Sequence, residues 1–282
     1  VEMGANHQKE IEFLCEIAKP DYGYITNFGK AHLEGFGGIQ GVIEGKSELY
    51  QYLSINNKLA FINLEDSIQV QKAADLKFFS FGIKKENADV NIIDVKANPF
   101  VEINFSNLII KSHLIGLYNA NNINAALTIG KYFGVDDIAI KEGLESYIPE
   151  NNRSQLLSKG TNQIILDAYN ANPSSMKVAI ENFLQLDNPN KIMILGDMFE
   201  LGDASTQEHL EVLKLLLDKN EIQCFFIGSA FYANKTVTTH FHFYETFDSF
   251  SEYLKEIKIV NSVVLIKGSR GMALERTLQF FS

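Results

Sequence analysis

The chain contains an apolar run that leads directly into a well-specified turn and helix start. The run is Ile164-Ile165-Leu166, and Asp167-Ala168-Tyr169-Asn170-Ala171-Asn172-Pro173 follows it. Asn172 is a favourable N-cap, and Pro173 suits the first helical position, where its missing N–H removes no hydrogen bond. The sequence therefore predicts a strand that passes into a helix here, at the kind of position where α/β proteins hold their functional groups.

The turn carries more polar groups than its conformation requires. Asp167, Tyr169 and Asn170 precede the cap, whereas short connections between strands and helices usually contain only the residues that form the turn. A purely structural turn remains an alternative, but the surplus of polar side chains favours a functional site.

Two further apolar runs end in polar residues in the same way. Residues 191–195 lead into Gly196-Asp197-Met198-Phe199-Glu200, and residues 263–266 lead into Lys267-Gly268-Ser269-Arg270. Parallel strands have their carboxyl ends on one edge of the sheet. We therefore expect one edge to carry a substrate site, with the candidate residues Asn170, Asn172, Asp197, Glu200, Lys267, Ser269 and Arg270.

Patterning divides the chain into two domains. Its 282 residues, 46% of them hydrophobic, are enough for about two separate cores. Pro149-Glu150-Asn151-Asn152 is a polar, turn-forming stretch, and alternation of strands and helices restarts after it. This predicts domains at 1–150 and 151–282, the second a doubly wound α/β sheet. Its predicted strands are 163–166, 191–195, 222–227, 241–244 and 263–266.

Local signals predict the remaining elements. Asn6 is the expected cap of a first helix, whose apolar residues Ile11, Leu14, Ile17 and Ala18 share a face. Ser205-Thr206-Gln207-Glu208 predicts a capping box before another helix. The other predicted elements are strands at 24–27 and 59–64, strand-like runs between 78 and 114, and helices at 39–53, 119–133 and 136–147.

Composition excludes several classes of protein. A net charge of −10 and a pI near 5.1 argue against nucleic-acid binding, which needs clustered Lys and Arg. No apolar run approaches the roughly 18 residues of a membrane span, and no targeting segment is evident, so the expected location is the cytoplasm. Cys15 and Cys224 have apolar neighbours and no metal-site spacing, which predicts two core thiols.

Gly41-Val42-Ile43-Glu44-Gly45-Lys46-Ser47 is close to a phosphate-binding loop, but it has three residues between its glycines where the motif has four. Apolar residues recur here every three or four positions, which predicts a helix instead. The same spacing places Lys46 on the apolar face, where an unpaired ammonium is costly to bury. Its stem can lie on the core while its head reaches water, or another group can engage it.

Several motifs resemble those of the Mur ligase family. Beside the three strand ends described above, they are Glu2-Met3-Gly4-Ala5-Asn6-His7, Ala31-His32-Leu33-Glu34-Gly35-Phe36-Gly37 and Gly116-Leu117-Tyr118-Asn119-Ala120-Asn121-Asn122. The resemblance runs along the whole chain. It implies the C-terminal part of a P-loop-type ATPase domain, followed by a smaller Rossmann-like domain.

Within the family, the chain is most similar to the ligases that add D-alanyl-D-alanine to UDP-N-acetylmuramoyl-tripeptide. The resemblance implies an ATP-dependent, Mg²⁺-dependent monomer that forms an amide bond through an acyl phosphate. It also implies that Lys46 is carbamylated and holds Mg²⁺ together with Glu2 and His32. Mg²⁺ prefers oxygen ligands, so the histidine in this set depends on the resemblance alone.

The resemblance further implies a nucleotide site supplied by both domains, which would close on ATP before catalysis. Asn119 and Asn122 would lie against the adenine, although helix capping is an alternative role for them. Arg153 would reach the phosphates, and Asp167 would hold the ribose.

The chain departs from the family in having no phosphate loop, no uridine-nucleotide domain and no initiating methionine. We therefore expect a truncated chain that is inactive alone. Two alternatives stay open. One is another ligase of the superfamily, such as a folylpolyglutamate synthetase or a ligase that adds a single amino acid, and the other is a substrate-binding module without catalysis.

Overall fold

A computed structural model describes residues 1–150 and 152–281 of the chain. The chain divides into two compact units, Val1–Ile148 and Pro149–Ser282. Asn151 and Ser282, the first and last residues of the predicted second domain, lie outside the described residues. Among the residues that are described, no helix combines the length and apolar character needed to cross a bilayer.

The first unit contains a parallel sheet whose strands follow one another in chain order. These strands are β1 (Tyr22–Tyr24), β2 (Leu59–Asn63), β3 (Lys77–Ile83) and β4 (Val90–Ile92). The helices of this part are α1 (Glu10–Ala18), α2 (Leu33–Phe36), α3 (Ile39–Ile55) and α4 (Ser67–Lys72). Leu53 of α3 packs with Ala60 and Ile62 of β2 in a buried core, so the sheet fixes the position of α3.

An antiparallel sheet and two helices complete the first unit. They are β5 (Asp94–Ala97), β6 (Phe100–Phe105), β7 (Leu108–Ile115), α5 (Ala120–Tyr132) and α6 (Asp137–Ser146). Asp136 caps α6 by accepting the N–H of Ile138 at 2.9 Å. Gly134 follows α5 with a φ of 74°, a left-handed conformation that glycine adopts without strain. The helices predicted at 39–53, 119–133 and 136–147 are confirmed with small differences at their ends.

The second unit is a doubly wound sheet with the strand order β12-β11-β10-β13-β9-β8. Its strands are β8 (Gln155–Lys159), β9 (Asn162–Asp167), β10 (Lys191–Gly196), β11 (Gln223–Ile227), β12 (Phe241–Tyr244) and β13 (Val263–Lys267). Its helices are α7 (Pro173–Leu184), α8 (Ser205–Leu216), α9 (Ser229–Ala233) and α10 (Phe247–Glu256). All five predicted strands are confirmed. The short edge strand β8, which pairs antiparallel to β9, lacks the clear alternation that would have predicted it.

The beginning of α1 differs from the prediction because a distant carboxylate caps it. α1 starts at Glu10, not directly after Asn6, and Asn6 makes no side-chain cap. Glu48 of α3 accepts the backbone N–H groups of Lys9 at 2.7 Å and Glu12 at 3.0 Å. The buried face of α1 is Ile11 with Cys15, and Leu14 is half-buried. The predicted face is therefore right at Ile11 and wrong at Ile17 and Ala18, which are exposed.

Two other local predictions are wrong. β1 occupies Tyr22–Tyr24 and not 24–27, since its ladder with β2 ends where Tyr24 pairs with Phe61. Ser205 forms no capping box because a 3₁₀ turn runs straight into α8, and the N–H of Ser205 bonds to the carbonyl of Gly202 instead.

Cys15 and Cys224 are free, buried thiols, as predicted. Burial raises the pKa of the Cys15 thiol to about 11 and that of the Cys224 thiol to about 12. Both thiols are therefore protonated at neutral pH, which is typical of cysteines that serve packing.

We predict that Glu48→Ala weakens α1 by about 1–2 kcal/mol, because two N–H groups at the start of the helix lose their acceptor. Hydrogen exchange of the α1 amides would measure the free energy of local opening. Gln51→Ala is the matched control, since Gln51 is exposed on the same helix and its loss should change that free energy by less than about 0.5 kcal/mol. Equal exchange in both variants would contradict the capping role.

Candidate functional site

The carboxyl ends of three parallel strands lie side by side in the second unit. β13 is flanked by β9 and β10, and Lys267 is in register with Asp167 on one side and with Leu195 on the other. The polar residues that follow these strands therefore share one edge of the sheet, as the sequence predicts. The structure divides them into buried residues that hold the edge together and exposed residues that can meet a ligand.

Lys267 and Asp167 form a buried ion pair at this edge. The Lys267 Nζ lies 2.6 Å from the Asp167 Oδ2, with side-chain exposures of 2% and 15%. The ammonium also donates to the carbonyl oxygen of Asn170 at 3.2 Å, and Asp167 Oδ1 accepts the N–H of Ser154 at 3.1 Å. The pair thus fastens the end of β9 to the end of β13.

Ser269 connects the loops that follow the three strands. Its hydroxyl accepts the N–H of Phe199 at 2.9 Å and donates to the carbonyl of Ala171 at 3.3 Å. Its own N–H donates to the carbonyl of Asp197 at 3.1 Å. Because Ser269 is buried, these bonds do not compete with water, and the three loops form one connected support.

Asp197 is also an internal residue. Its two carboxylate oxygens accept the N–H groups of Ala230 at 2.9 Å and Phe231 at 3.0 Å, at the start of α9. The Nε2 of buried His209 accepts the N–H of Met198 at 3.1 Å, while its Nδ1 lies 2.7 Å from the Ser205 carbonyl. This pattern requires the proton on Nδ1, and it fixes the first residues after β10. Nothing in the sequence marks His209 as part of the site, because a histidine among the apolar positions of a helix is ordinary.

The two asparagines of the first turn have different surroundings. Asn172 caps α7, accepting the N–H of Ser175 at 2.9 Å while its own N–H donates to the Ser175 hydroxyl at 3.1 Å. The predicted cap, with Pro173 in the first turn, is confirmed. Asn170 is exposed, and its Oδ1 accepts a local bond from the N–H of Ala171 at 2.9 Å.

Glu200 and Arg270 are two exposed charged residues of the edge. Glu200 has a φ of 60°, and the Arg270 guanidinium is 62% exposed, 3.5 Å from a carboxylate oxygen of Glu275. Together with Asn170, these two side chains are accessible to a ligand. The buried polar residues of the same edge are Lys267, Asp197 and Ser269.

Arg153 lies at the same edge of the second unit, held by an aromatic ring. Its guanidinium carbon is 3.8 Å from the ring centroid of Tyr169, a cation–π contact. The N–H of Tyr169 also donates to the carbonyl of Asn152 at 3.2 Å, so residues 152–154 are fastened to the turn after β9. The sequence marked Tyr169 only as a surplus polar residue, since this contact depends on the tertiary structure.

Glu2 and Lys46 line one cavity of about 620 Å³ in the first unit, beside β1. Lys46 lies on α3 as predicted, and its Nζ donates to the carbonyl of Asn27 at 2.7 Å. Burial lowers the pKa of Lys46, and the negative charge of Asp66 opposes this shift in part. A lowered pKa increases the fraction of neutral, nucleophilic amine.

His32 lines a different groove, of about 510 Å³, together with Asn6, Glu10 and other residues of the N-terminal segment. It is not among the described residues that line the cavity of Glu2 and Lys46. Across 1–150 and 152–281, no cluster of three or more His, Cys, Asp or Glu residues is arranged to hold a metal ion. The structure thus brings two of the three predicted metal residues to one cavity.

Asn119 and Asn122 are bonded to each other. The Asn122 Nδ2 donates to Asn119 Oδ1 at 3.1 Å, and the buried Asn119 Nδ2 donates to the carbonyl of Ile115 at 2.8 Å. Asn119, at the start of α5, makes no side-chain cap. Asn122 is exposed on the first turn of α5, so it is the accessible member of the pair.

Comparison with known proteins finds two domain models in succession. Residues 1–130 match the Mur ligase middle domain, and residues 152–270 match the Mur ligase glutamate ligase domain.

Curated relatives align along almost the whole chain. UDP-N-acetylmuramoyl-tripeptide--D-alanyl-D-alanine ligase of Rickettsia prowazekii is 28% identical over 99% of this chain and 65% of its own length. The ligase of the same name from Haemophilus influenzae is 31% identical over 98% of the chain and 62% of its own length. The chain therefore spans less than two thirds of these relatives. The MurF ligase of Thermotoga maritima, solved in complex with ADP, has a TM-score of 0.83 and 26% identity, covering 99% of this chain and 66% of that one.

We predict that Asn172→Ala lowers the free energy of unfolding of the second unit by about 1 kcal/mol, because the cap of α7 is lost. Asn170→Ala, two positions away, should change it by less than about 0.5 kcal/mol, since that side chain is exposed. Urea unfolding followed by circular dichroism would measure both. A larger effect at Asn170 than at Asn172 would reverse the two assignments.

Proposed function

The chain belongs to the Mur ligase family, and we propose that the complete protein joins D-alanyl-D-alanine to UDP-N-acetylmuramoyl-tripeptide with consumption of ATP. The observation that carries this proposal is the alignment with ligases of that name along 98% or more of the chain, through both units. The accessible charged residues at the edge of the second sheet agree with a zwitterionic peptide substrate.

The proposed reaction proceeds through an acyl phosphate. The γ-phosphoryl group of ATP passes to the terminal carboxylate of the tripeptide, and ADP leaves. The amine of the dipeptide then attacks the acyl carbon, the amide bond forms, and inorganic phosphate leaves. Such reactions depend mainly on alignment and on neutralisation of negative charge, which exposed basic and polar side chains on rigid supports can provide.

The nucleotide would bind to Asn122, Arg153 and Asp167. Asn122 offers an exposed amide for the adenine, with Asn119 holding it through their mutual hydrogen bond. Arg153 presents a cation for the phosphates, and Tyr169 restricts its position. Asp167 keeps an accessible part of its carboxylate beside the Lys267 and Ser154 contacts, and carboxylates commonly accept ribose hydroxyls in α/β nucleotide sites.

Mg²⁺ would be held by Glu2 and by Lys46 in its carbamylated form. The donor set fits the ion: Mg²⁺ usually takes one or two protein carboxylates and completes its shell with water and phosphate oxygens. A carbamate on Lys46 would supply such a carboxylate-like group, and the lowered pKa of this amine favours its formation. The bound ion would neutralise phosphate charge. His32, on the neighbouring groove, remains a proposed ligand on the family resemblance alone.

The dipeptide would bind at the edge of the second sheet. Arg270 can pair with its carboxylate, Glu200 with its amine, and Asn170 with its amide group. Asp197, Ser269 and Asn172 would support these residues from below through the bonds that fix the three loops. We propose a monomer located in the cytoplasm, where ATP is available.

We predict that the complete protein releases phosphate from ATP, with Mg²⁺ and UDP-N-acetylmuramoyl-tripeptide, only when D-alanyl-D-alanine is added. Lys46→Ala should abolish release. Arg270→Ala should raise the KM for the dipeptide by about tenfold or more, the effect of one lost charge-assisted bond. Lys258→Ala is the control, because Lys258 is exposed before the amino end of β13.

Each other outcome has a definite meaning. Release that ignores the dipeptide but responds to a single amino acid would keep the ligase class and change the substrate. A complete protein that releases no phosphate with any amine would be a binding module, and the proposed reaction would be wrong.

A further inference from the structure

We propose that Lys267 is a positioning residue of the nucleotide site, which holds Asp167 and the turn after β9 in the conformation that binds ATP, and that it does not contact the dipeptide. This inference rests on the proposed function, since it takes the edge at Asp167 as the nucleotide site. The proposal changes the role of Lys267, which the sequence analysis places among the candidate substrate residues.

The position of Lys267 in the sheet determines its partner. Lys267 and Asp167 are the last residues of β13 and β9 and are paired in register, so the two side chains are neighbours on the same face of the sheet. The Nζ–Oδ2 distance of 2.6 Å is that of a short, charge-assisted hydrogen bond. The strand pairing alone thus brings this cation and this anion together.

Burial separates Lys267 from any ligand at the edge. Its side chain is 2% exposed, and its Nζ donates to Asp167 and to the carbonyl of Asn170. An ammonium so far from water is stabilised by its partners, and a ligand could engage it only by breaking the ion pair. Arg270, three positions later, is 62% exposed, and its contact with Glu275 is longer, at 3.5 Å, and open to water. A peptide carboxylate could therefore pair with Arg270 at a smaller cost.

The contacts of Asp167 extend the effect of Lys267 to the other proposed nucleotide residues. With Oδ2 held by Lys267, Oδ1 accepts the N–H of Ser154, the residue that follows Arg153. The ring of Tyr169, two residues after Asp167, lies against the Arg153 guanidinium. One ion pair therefore sets the orientation of the proposed ribose acceptor and also anchors the segment that carries the proposed phosphate contact.

The experiment uses the complete protein with Lys267→Met, which keeps the length of the side chain and removes its charge. Isothermal titration with ADP measures nucleotide affinity without requiring turnover, and steady-state kinetics give the KM for ATP and for the dipeptide separately. Asp167→Asn and the double variant Lys267→Met/Asp167→Asn complete a double-mutant cycle for ADP affinity. Arg270→Ala is the comparison variant for the KM of the dipeptide.

We expect Lys267→Met to weaken ADP binding by about tenfold, as loss of one charge-assisted bond would, and to leave the dipeptide KM within about twofold. The double variant should bind ADP no more weakly than Asp167→Asn, because both changes act through one carboxylate. Arg270→Ala should show the opposite pattern: the KM for the dipeptide should rise, and the affinity for ADP should stay unchanged.

Unchanged ADP affinity in Lys267→Met, or a rise confined to the dipeptide KM, would overturn the proposal. Should that variant fail to fold, Lys267→Gln applies the same test, since its shorter, uncharged side chain also removes the cation that pairs with Asp167, and ADP affinity equal to that of the unaltered protein would again overturn the proposal. If the complete protein binds ADP but shows no dipeptide-dependent phosphate release, the proposed function fails while the role of Lys267 stands. If the unaltered protein binds no ADP, both fail.

Discussion

The parallel pairing of β9, β13 and β10 is the constraint on which the candidate site of the second unit depends. Parallel strands need long crossover connections, and these bring chain segments about 100 residues apart in sequence to one edge. At that edge the register pairs Lys267 with Asp167, and Ser269 bonds to both neighbouring loops. A shift of β13 by one residue in this register would move the Lys267 side chain to the opposite face of the sheet, away from Asp167.

At this edge of the second sheet, the buried polar groups are hydrogen-bonded, and other polar side chains are exposed and can contact a ligand. Buried polar groups are expensive unless each finds a partner, and here the Lys267 ammonium, the Asp197 carboxylate and the Ser269 hydroxyl all have partners within 3.3 Å. Such a network stiffens the loops that carry Asn170, Glu200 and Arg270. Recognition groups on rigid supports lose less conformational freedom on binding, which favours affinity and specificity for small polar ligands.

The sequence predicted those features that depend on local pattern. The strands of the second unit are buried on both faces, so they read as continuous apolar runs such as Val263-Val264-Leu265-Ile266, and each ends at a polar turn. The cap at Asn172 is equally local. The start of α1 could not be predicted, since its acceptor is Glu48 on another helix. Nor could the sequence distinguish buried Lys267 from exposed Arg270, because a charged residue after a strand looks the same whether its partner is a neighbouring strand or a ligand.

The carboxylate of Glu48 also couples the movements of two parts of the first unit. The chain enters α1 from the segment that carries Glu2, and α3 carries both Glu48 and Lys46. The two bonds from Lys9 and Glu12 to Glu48 therefore tie the N-terminal segment to the helix of Lys46. A small displacement of α3 would therefore move the start of α1 with it. The segment that carries Glu2 and the helix that carries Lys46, which line the same cavity, would then shift together.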